Sequence, residues 1–327
     1  MLSLRRGRVT AVVDRLAGLD RLEVDGVACV SYPQLTGPVT LGDDVIVNVQ
    51  GRELALGSGG FDVLYANLSS GLERQAADGA HVMKLPYTPL QLAVPHGEER
   101  GELPAGIEGM PVVACSLHSQ VVPACAALAG LRVAYVQVPG GALPIALSDA
   151  VRTLKARDLV ALTIGADACF GGDLDTVNVY SALALAAAEG ADVAVCAIGP
   201  GIVGTGTALG HGGMAAAGAA AAAAGLEGRP VLALRLSERD LRARHAGLSH
   251  HAANVLRVAG AGVVAAWPTG CPFEQPQGTA LVDVFDWRHA CADLPLEHMG
   301  RGPDDDPWFF AAAFAAGRLA GALVGKR

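Results

Sequence analysis

Charged residues are scarce in this sequence: 17% of its 327 residues are Asp, Glu, Lys or Arg, whereas 51% are hydrophobic. This balance excludes an intrinsically disordered chain, which could not bury enough apolar surface to fold. The formal net charge is −8, and the basic residues cluster only at Arg5, Arg6 and Arg8. A nucleic-acid surface needs many more grouped cations to neutralise phosphates, so we expect no nucleic-acid partner.

We expect neither disulfide-bonded cysteines nor a leader segment. The seven cysteines form no Cys-x-x-Cys pair and show no regular spacing. Most of them lie in apolar runs, which is typical of reduced, buried thiols. Asp14, Arg15 and Asp20 interrupt the N-terminal region, which therefore lacks the apolar stretch of a signal peptide. We expect a cytoplasmic protein.

One long apolar segment, residues 307–325, has nearly the length of a bilayer span. Arg318 lies in the middle of it. Three acidic residues, 304–306, followed by Pro307 are start signals for a helix of a water-soluble protein, because carboxylates favour the positive end of the helix dipole. The segment therefore predicts a packed C-terminal helix and no membrane partner, with a membrane span as the alternative.

Three short catalytic signatures are absent. The sequence contains no Gly-x-Ser-x-Gly elbow, no Gly-x4-Gly-Lys-Ser/Thr phosphate loop and no His-Glu-x-x-His motif. A P-loop nucleotidase is thereby excluded, and an α/β-hydrolase elbow is not supported.

The pattern of apolar residues changes along the chain. The first 65 residues are short β-rich runs separated by Gly, Asp and Pro, as in a small antiparallel barrel or sandwich. Later, apolar runs alternate with alanine-rich stretches; the runs are 111–117, 132–138, 159–164, 191–198, 229–236 and 261–268. Strands that are apolar on both faces indicate a parallel sheet covered by helices.

The sequence therefore predicts an α/β fold with a mostly parallel, Rossmann-like sheet and crossover helices, preceded by a small antiparallel β domain. We assign residues 1–68 to the β domain, 69–110 to a transitional segment and 111–327 to the α/β domain. Ligands of such sheets collect outside the carboxyl ends of the strands. A site is therefore expected on the loops that follow the strands.

The loop over residues 199–213 is crowded with glycine. Gly199, Gly201 and Gly204 have the Gly-x-Gly-x-x-Gly spacing, and Gly206 extends the loop towards a helix. Such a loop can bring backbone N–H groups to an anion or phosphate. A dinucleotide site also needs an acidic residue that closes the next strand about 20 residues further on, whereas the next apolar run here ends at Leu236, well beyond that spacing. We expect these four glycines to bind an anion; NAD-type binding and a purely conformational role are the alternatives.

A second loop, residues 165–175, carries Asp173 and Asp175 before a helix expected over 176–188. Paired carboxylates can hold a divalent ion or act as acid and base, so Asp173 is a catalytic candidate. Gly171 and Gly172 of this loop are ligand-binding candidates. Two carboxylates at a helix start more often cap the helix, so capping by Asp173 or Asp175 is the expectation here and the catalytic role is the alternative.

Ser116 and His118 stand at the end of the first apolar strand of the α/β region. Polar groups at that boundary cost free energy unless they meet solvent or ligand. We expect ligand contact or helix capping by Ser116, with catalysis by His118 as the alternative.

Histidines are grouped near the end of another loop: they are His245, His250 and His251, with His211 and His118 on neighbouring loops. Such a group could converge into a metal site or a proton-transfer site. Ser249 is the expected N-cap of a helix over 252–258 and a ligand-binding candidate. Because adjacent residues on a helix point in different directions, we expect at most one of His250 and His251 to be a ligand.

Six segments, in order, carry a resemblance to a known family: GGFDVLYANL, HVMKLPYTP, VVACSLHSQ, FGGDLDTVNVYSAL, GPGIVGTGTALGHGG and RHAGLSHHAANVL. They resemble the bacterial family called domain of unknown function 3866, over essentially the whole chain. The resemblance implies a bacterial, cytoplasmic protein and supplies neither a catalytic residue nor a cofactor.

Two functions remain open. The first is an enzyme acting on a small phosphorylated or otherwise anionic metabolite, with His118, Asp173, His211 and His250 as catalytic candidates. The second is a non-catalytic ligand-sensing or scaffolding protein that uses the β domain for interaction. A homodimer is compatible with the alanine-rich helices. The sequence names no cofactor and leaves metal binding undecided.

Overall fold

The computed structural model describes residues 2–55, 59–70, 72, 77–260 and 262–325. The chain divides into two compact units, Met1–Pro95 and His96–Arg327. The predicted β domain falls within the first unit and the predicted α/β domain within the second.

The first unit contains a closed five-stranded barrel. Its elements are β1 (Leu4–Leu16), β2 (Leu19–Val24), β3 (Val27–Ser31), α1 (Pro33–Thr36), β4 (Asp44–Asn48), α2 (Gln50–Glu53) and β5 (Asp62–Asn67). The strands close in the order β1-β2-β3-β5-β4, and every pair is antiparallel except β3 with β5. Alternate residues such as Val45 and Val47 point into the barrel and are fully buried, as the period of two along a strand requires. A separate antiparallel pair follows, β6 (Val82–Lys84) with β7 (Leu92–Val94).

The second unit is built on an eight-stranded, all-parallel sheet. Its strands are β8 (Pro111–Cys115), β9 (Val133–Val138), β10 (Leu162–Gly165), β11 (Leu174–Asp175), β12 (Val193–Ile198), β13 (Arg229–Ala233), β16 (Val264–Pro268) and β17 (Thr279–Val282). They lie in the order β11-β10-β9-β12-β8-β13-β16-β17. Between β13 and β16, the short strands β14 (Leu236–Ser237) and β15 (Gly247–Leu248) form a small antiparallel pair. The predicted α/β fold is confirmed, and the six expected strands are all present.

Helices cover both faces of this sheet. They are α3 (Val121–Ala126), α4 (Asp149–Ala156), α5 (Val179–Ala188), α6 (Ala215–Gly225), α7 (His250–Ala259), α8 (Trp287–Ala290) and α9 (Pro307–Gly321). Alternate strand residues enter different clusters: Val113 and Cys115 pack with α3, α4 and α9, whereas Val112 and Ala114 pack with α5, α6 and α7. The sheet is therefore buried on both sides, which explains its continuous apolar strands.

The carboxyl ends of β12, β8 and β13 lie side by side at the centre of the sheet. The chain leaves β8 towards α3 on one face, and it leaves β12 and β13 towards α6 and α7 on the other. Adjacent strands whose connections leave on opposite faces open a crevice between their ends, where ligands of open α/β sheets bind. The loops that carry the sequence-predicted histidines follow these three strands.

The C-terminal apolar segment is the core helix α9. It begins at Pro307, as expected, and buries both Phe309 and Phe310 completely. Throughout the described parts of the chain, no helix has the length and apolar character needed to cross a membrane.

Candidate functional site

Four histidines meet at the carboxyl edge of the sheet; we call His211, His245, His250 and His251 the histidine cluster. The rings of His211 and His251 stack with centroids 3.6 Å apart. The His245 ring lies 4.7 Å from that of His251 and 4.8 Å from that of His250. His211 ends the glycine-rich loop after β12, whereas the other three follow β13, so two loops build one cluster.

Three members of the cluster present nitrogen atoms to one another. One ring nitrogen each from His245, His250 and His251 lies within 4.8 Å of the other two. Among the described residues, the buried nitrogens without a hydrogen-bond partner include Nε2 of His245, Nε2 of His250 and Nδ1 of His251. Tetrahedral zinc with Zn–N bonds of about 2.0 to 2.1 Å separates its nitrogen ligands by about 3.4 Å. Small side-chain rotations would therefore bring these rings onto one ion.

Ser249 organises the cluster from the start of α7. Its Oγ accepts a hydrogen bond from the backbone N–H of His251 at 3.2 Å, so Ser249 is the N-cap, as predicted. The same Oγ lies 2.7 Å from Nδ1 of His245. When Nδ1–H donates to Ser249, the lone pair of the neutral ring is on Nε2, the nitrogen left without a partner in the described part of the chain. The serine thus turns His245 towards the other rings in the form that binds a metal.

Burial and nearby positive charge favour the neutral form of all four histidines by lowering their pKa values. Burial lowers the pKa of His245 and of His251 to about 3, and it also lowers the pKa of His211 and of His250. The positive charge of Arg235 lowers the pKa of each of them further. Metals bind the neutral imidazole, so no proton has to be removed from these rings near pH 7.

An ion-pair network centred on Asp240 adjoins the histidine cluster. Nη2 of Arg235 and Nη2 of Arg242 each lie 2.8 Å from the Asp240 carboxylate, and Nη2 of Arg301 lies 3.7 Å from it. The backbone carbonyl of Arg235 accepts a hydrogen bond from Ser249 N–H at 3.0 Å, which joins the network to the start of α7. We call Arg235, Arg242 and Arg301 the arginine cluster.

His118 and Ser116 lie after β8, next to the strands that supply the cluster. Nδ1 of His118 is 3.1 Å from the carbonyl of Ile198, and its Nε2 is 2.7 Å from Oγ of Ser148. Because the carbonyl can only accept, Nδ1 carries the hydrogen and Ser148 donates to Nε2. Burial lowers the pKa of His118 to about 4. Ser116 is buried, with its Oγ 3.4 Å from Oε1 of Gln120. His118 therefore connects the loops after β8, β9 and β12.

The glycine-rich loop forms an exposed excursion that returns to the sheet at His211. Gly204 pairs with His211 as an isolated antiparallel bridge, and a Cβ at Gly206 would meet nothing within 4 Å in the described part of the chain. Gly199 is different, because a Cβ there would lie 2.1 Å from the carbonyl oxygen of Ala142. Gly201 has a φ of 73°. Gly199 thus permits close backbone packing, and anion binding by this loop stays a prediction.

Asp173 lies away from the histidine cluster. It follows β10, four strand positions from β13, which corresponds to about 19 Å at a strand spacing of about 4.8 Å. Its carboxylate pairs with Lys155 and accepts hydrogen bonds from the backbone N–H and Oγ1 of Thr163, both at 2.8 Å. Gly171 and Gly172 lie in the same distant loop. The structure therefore does not bring these residues to the cluster.

Two local expectations are corrected. Neither Asp173 nor Asp175 caps α5: the helix begins at Val179, and Oδ1 of Asn178 accepts from Ser181 N–H at 3.0 Å. His250 and His251 do not diverge as expected, since both belong to the converging group. Both occupy the first turn of α7, where side chains tilt towards the open N-terminal end and meet beyond it.

The sequence did not predict several residues that lie in or beside the site. They are Arg235, Asp240, His298 and Arg301. Arg235 is a charge at the end of the apolar run 229–236, which is the one local signal that could have revealed it. His298 and Arg301 come from a segment with no regular period and reach the site through tertiary folding.

Comparison with known proteins agrees with the resemblance carried by the six sequence segments. No curated protein matches the chain. Residues 28–317 match the family described as protein of unknown function (DUF3866), and this span covers most of the sequence. The chain therefore belongs to the DUF3866 family.

Proposed function

We propose that this protein is a metal-dependent enzyme that binds a divalent transition-metal ion through its histidine cluster and acts on a small anionic metabolite. The geometry of three histidines carries the proposal: one ring nitrogen each of His245, His250 and His251 lies within 4.8 Å of the other two. Each of these rings also has a buried nitrogen without a hydrogen-bond partner among the described residues. Buried polar atoms without partners are rare in native proteins, and neutral imidazole nitrogens of this kind are free to coordinate an ion.

The ligand set favours zinc or a similar ion. Imidazole nitrogens suit zinc, copper, iron and nickel, whereas magnesium and calcium prefer oxygen ligands. Three histidines leave a coordination position open, as in catalytic rather than structural zinc sites. An ion in this position would supply an activated water or polarise a substrate oxygen.

The location supports an enzyme acting on an anion. The histidine cluster lies at the carboxyl ends of the central strands, where open parallel sheets bind their substrates. His211 both ends the glycine-rich loop and stacks on His251. An anion held by backbone N–H groups of that loop would therefore lie beside the ion.

The test is the metal content of variants. Protein purified without chelators is analysed by inductively coupled plasma mass spectrometry, alongside His245→Gln, His251→Gln and a control, His289→Gln, which changes an exposed histidine on α8. We expect about one metal ion per chain in the natural protein and the control, and at least tenfold less in the two cluster variants with unchanged circular dichroism. Equal metal content in all four proteins, or none in any after incubation with zinc, contradicts the proposal.

The cysteines support a reducing, cytoplasmic location as part of this proposal. Six of the seven cysteines are buried, and the described residues contain no disulfide. Cysteines without disulfides are typical of proteins in a compartment that keeps thiols reduced.

A further inference from the structure

We infer that Arg235, Arg301 and His298 form an oxyanion subsite beside the histidine cluster, which receives the phosphate or carboxylate group of the substrate. The inference rests on the proposed function, because the subsite belongs to an active site only when the histidine cluster holds the metal ion. It adds which chemical group the substrate presents and which side chains recognise it.

Each of these three side chains has a buried donor that makes no hydrogen bond within the described residues, although Nη2 of Arg301 is within ion-pair distance of Asp240. Nε of Arg235, Nη2 of Arg301 and Nε2 of His298 are buried and lack a hydrogen-bond partner among the described residues. Arg235 is 3% exposed and His298 is 4% exposed. An unsatisfied buried donor costs about 1 to 3 kcal/mol, and more when it is charged. An oxyanion supplies several acceptor lone pairs to such donors at once.

The tautomer of His298 fits this role. Its Nδ1 lies 3.0 Å from Oγ of Ser119, and its ring stacks on Phe309 with centroids 3.8 Å apart. When the Ser119 hydroxyl donates to Nδ1, the neutral ring carries its hydrogen on Nε2. His298 then offers an N–H donor in a fixed direction and adds no positive charge.

Positive charge is in excess at this place. The arginine cluster has three guanidinium groups, whereas the described carboxylates within ion-pair distance of them are those of Asp240 and Asp306. One positive charge is left over among three guanidinium groups, of which Arg242 is exposed whereas Arg235 and Arg301 are mostly buried. Asp306 is also engaged elsewhere, since it accepts from Oγ of Ser237 at 2.5 Å and from Glu238 N–H at 2.9 Å. Buried charge is costly unless it is paired, and one bound anion would balance it.

Arg235 is connected directly to the histidine cluster. Its carbonyl accepts from Ser249 N–H, and Oγ of Ser249 contacts His245, so two hydrogen bonds join this arginine to the cluster. An anion bound at Arg235 would therefore lie beside the loop that carries three of the four cluster histidines.

A tight turn holds the other two donors together. His298 and Arg301 exchange backbone hydrogen bonds of 2.9 and 3.1 Å. The residues between them, Met299 and Gly300, have φ values of 52° and 74°. Positive φ at both central positions defines the type I′ turn, which is preorganised for a two-residue hairpin. Binding therefore requires little ordering of this segment.

The test measures anion binding and metal binding separately. Isothermal titration calorimetry with inorganic phosphate, and in parallel with acetate, is performed on the full chain loaded with zinc and on the chelator-treated chain. The variants are Arg301→Gln, Arg235→Gln and a control, Arg288→Gln, whose side chain pairs with Asp304 on the surface. Arg301→Gln is the safer variant for folding, because 19% of the Arg301 side chain is exposed.

We expect one of the two anions to bind the natural protein and the Arg288→Gln control with equal affinity. The same anion should bind Arg301→Gln and Arg235→Gln at least tenfold more weakly. The zinc content should be unchanged in all of these proteins. The anion that binds more tightly identifies the substrate group. Failure of both anions to bind, or binding that the two variants do not weaken, overturns the subsite. If zinc does not bind but the variants still weaken anion binding, the metal proposal fails and the subsite stands.

Discussion

At the scale of single residues, hydrogen-bond direction and burial decide what each histidine can do. His118 has partners on both ring nitrogens and serves to connect three loops. Within the described residues, His245 has a partner on Nδ1 only, which leaves Nε2 for a ligand. The two histidines therefore differ in which ring nitrogens have partners, and the difference lies in their neighbours.

Ser249 is expected to affect both the stability of α7 and the affinity for zinc. Ser249→Ala removes both the N-cap of α7 and the acceptor for His245, so we expect a loss of about 1 kcal/mol in unfolding free energy and a loss in zinc affinity of roughly 10- to 100-fold. Zinc affinity is measured by competition with a chromophoric chelator, and stability by urea denaturation of the metal-free protein.

The matched control is Asn178→Ala, which removes the N-cap of α5 and touches none of the cluster. It should cost similar stability and leave zinc affinity unchanged. A Ser249→Ala protein with the zinc affinity of the natural protein would refute the positioning role of this serine.

At the scale of elements, the helices that cover the sheet differ in how closely they pack. Helix α6 consists almost entirely of alanine, and α9 packs against α3 with a glycine at the contact. A Cβ at Gly317 of α9 would lie 2.1 Å from the carbonyl oxygen of Ala124. A Cβ at Gly218 of α6 would meet nothing within 4 Å in the described structure.

Replacing these two glycines by alanine should therefore have opposite effects. Gly218→Ala should raise the unfolding free energy by about 0.5 to 1 kcal/mol, because alanine loses less backbone entropy on forming a helix. Gly317→Ala should lower it by about 1 to 3 kcal/mol, because the backbones of α9 and α3 must separate. Thermal and urea denaturation of both variants check the signs, and stabilisation by Gly317→Ala would contradict the close contact.

At the scale of the whole molecule, buried neutral histidines make stability depend on pH. The pKa of His118 falls from 6.5 to about 4 on folding, and that of His298 falls to about 3, in both cases mainly through burial. Between these values and 6.5 the unfolded chain binds more protons than the folded one. Stability is therefore complete above pH 6.5 and is lost as the pH falls towards 4.

We expect the metal-free protein to lose unfolding free energy steadily between pH 6.5 and pH 4, with His118 contributing up to about 3 kcal/mol at roughly 1.36 kcal/mol per pKa unit. His118→Gln should reduce that slope, as measured by urea denaturation across the range. His289→Gln, which changes an exposed side chain, should leave the slope as it is. Equal slopes for the natural protein and His118→Gln would show that His118 is not held neutral by folding.

Local patterns were enough to predict much of this fold. The six continuous apolar runs became the main strands of the parallel sheet, and Ser249 and Pro307 mark helix starts where the sequence places them. The edge strands β11 and β17 were not predicted, because runs of two and four residues carry too little periodicity to be recognised. The N-cap of α5 was misplaced because the local sequence offers Asp173, Asp175 and Asn178 as competing capping residues.

The sequence by itself determined the six main strands of the sheet, their burial on both faces and which loops carry histidines, because these follow from local hydrophobic patterns and capping chemistry. Only the tertiary structure decided that His211 meets His251, that Asp173 stays apart and that Arg301 reaches Asp240. The reason is physical: convergence depends on strand order and on long-range packing. Neither leaves a signal in the neighbouring residues of the chain.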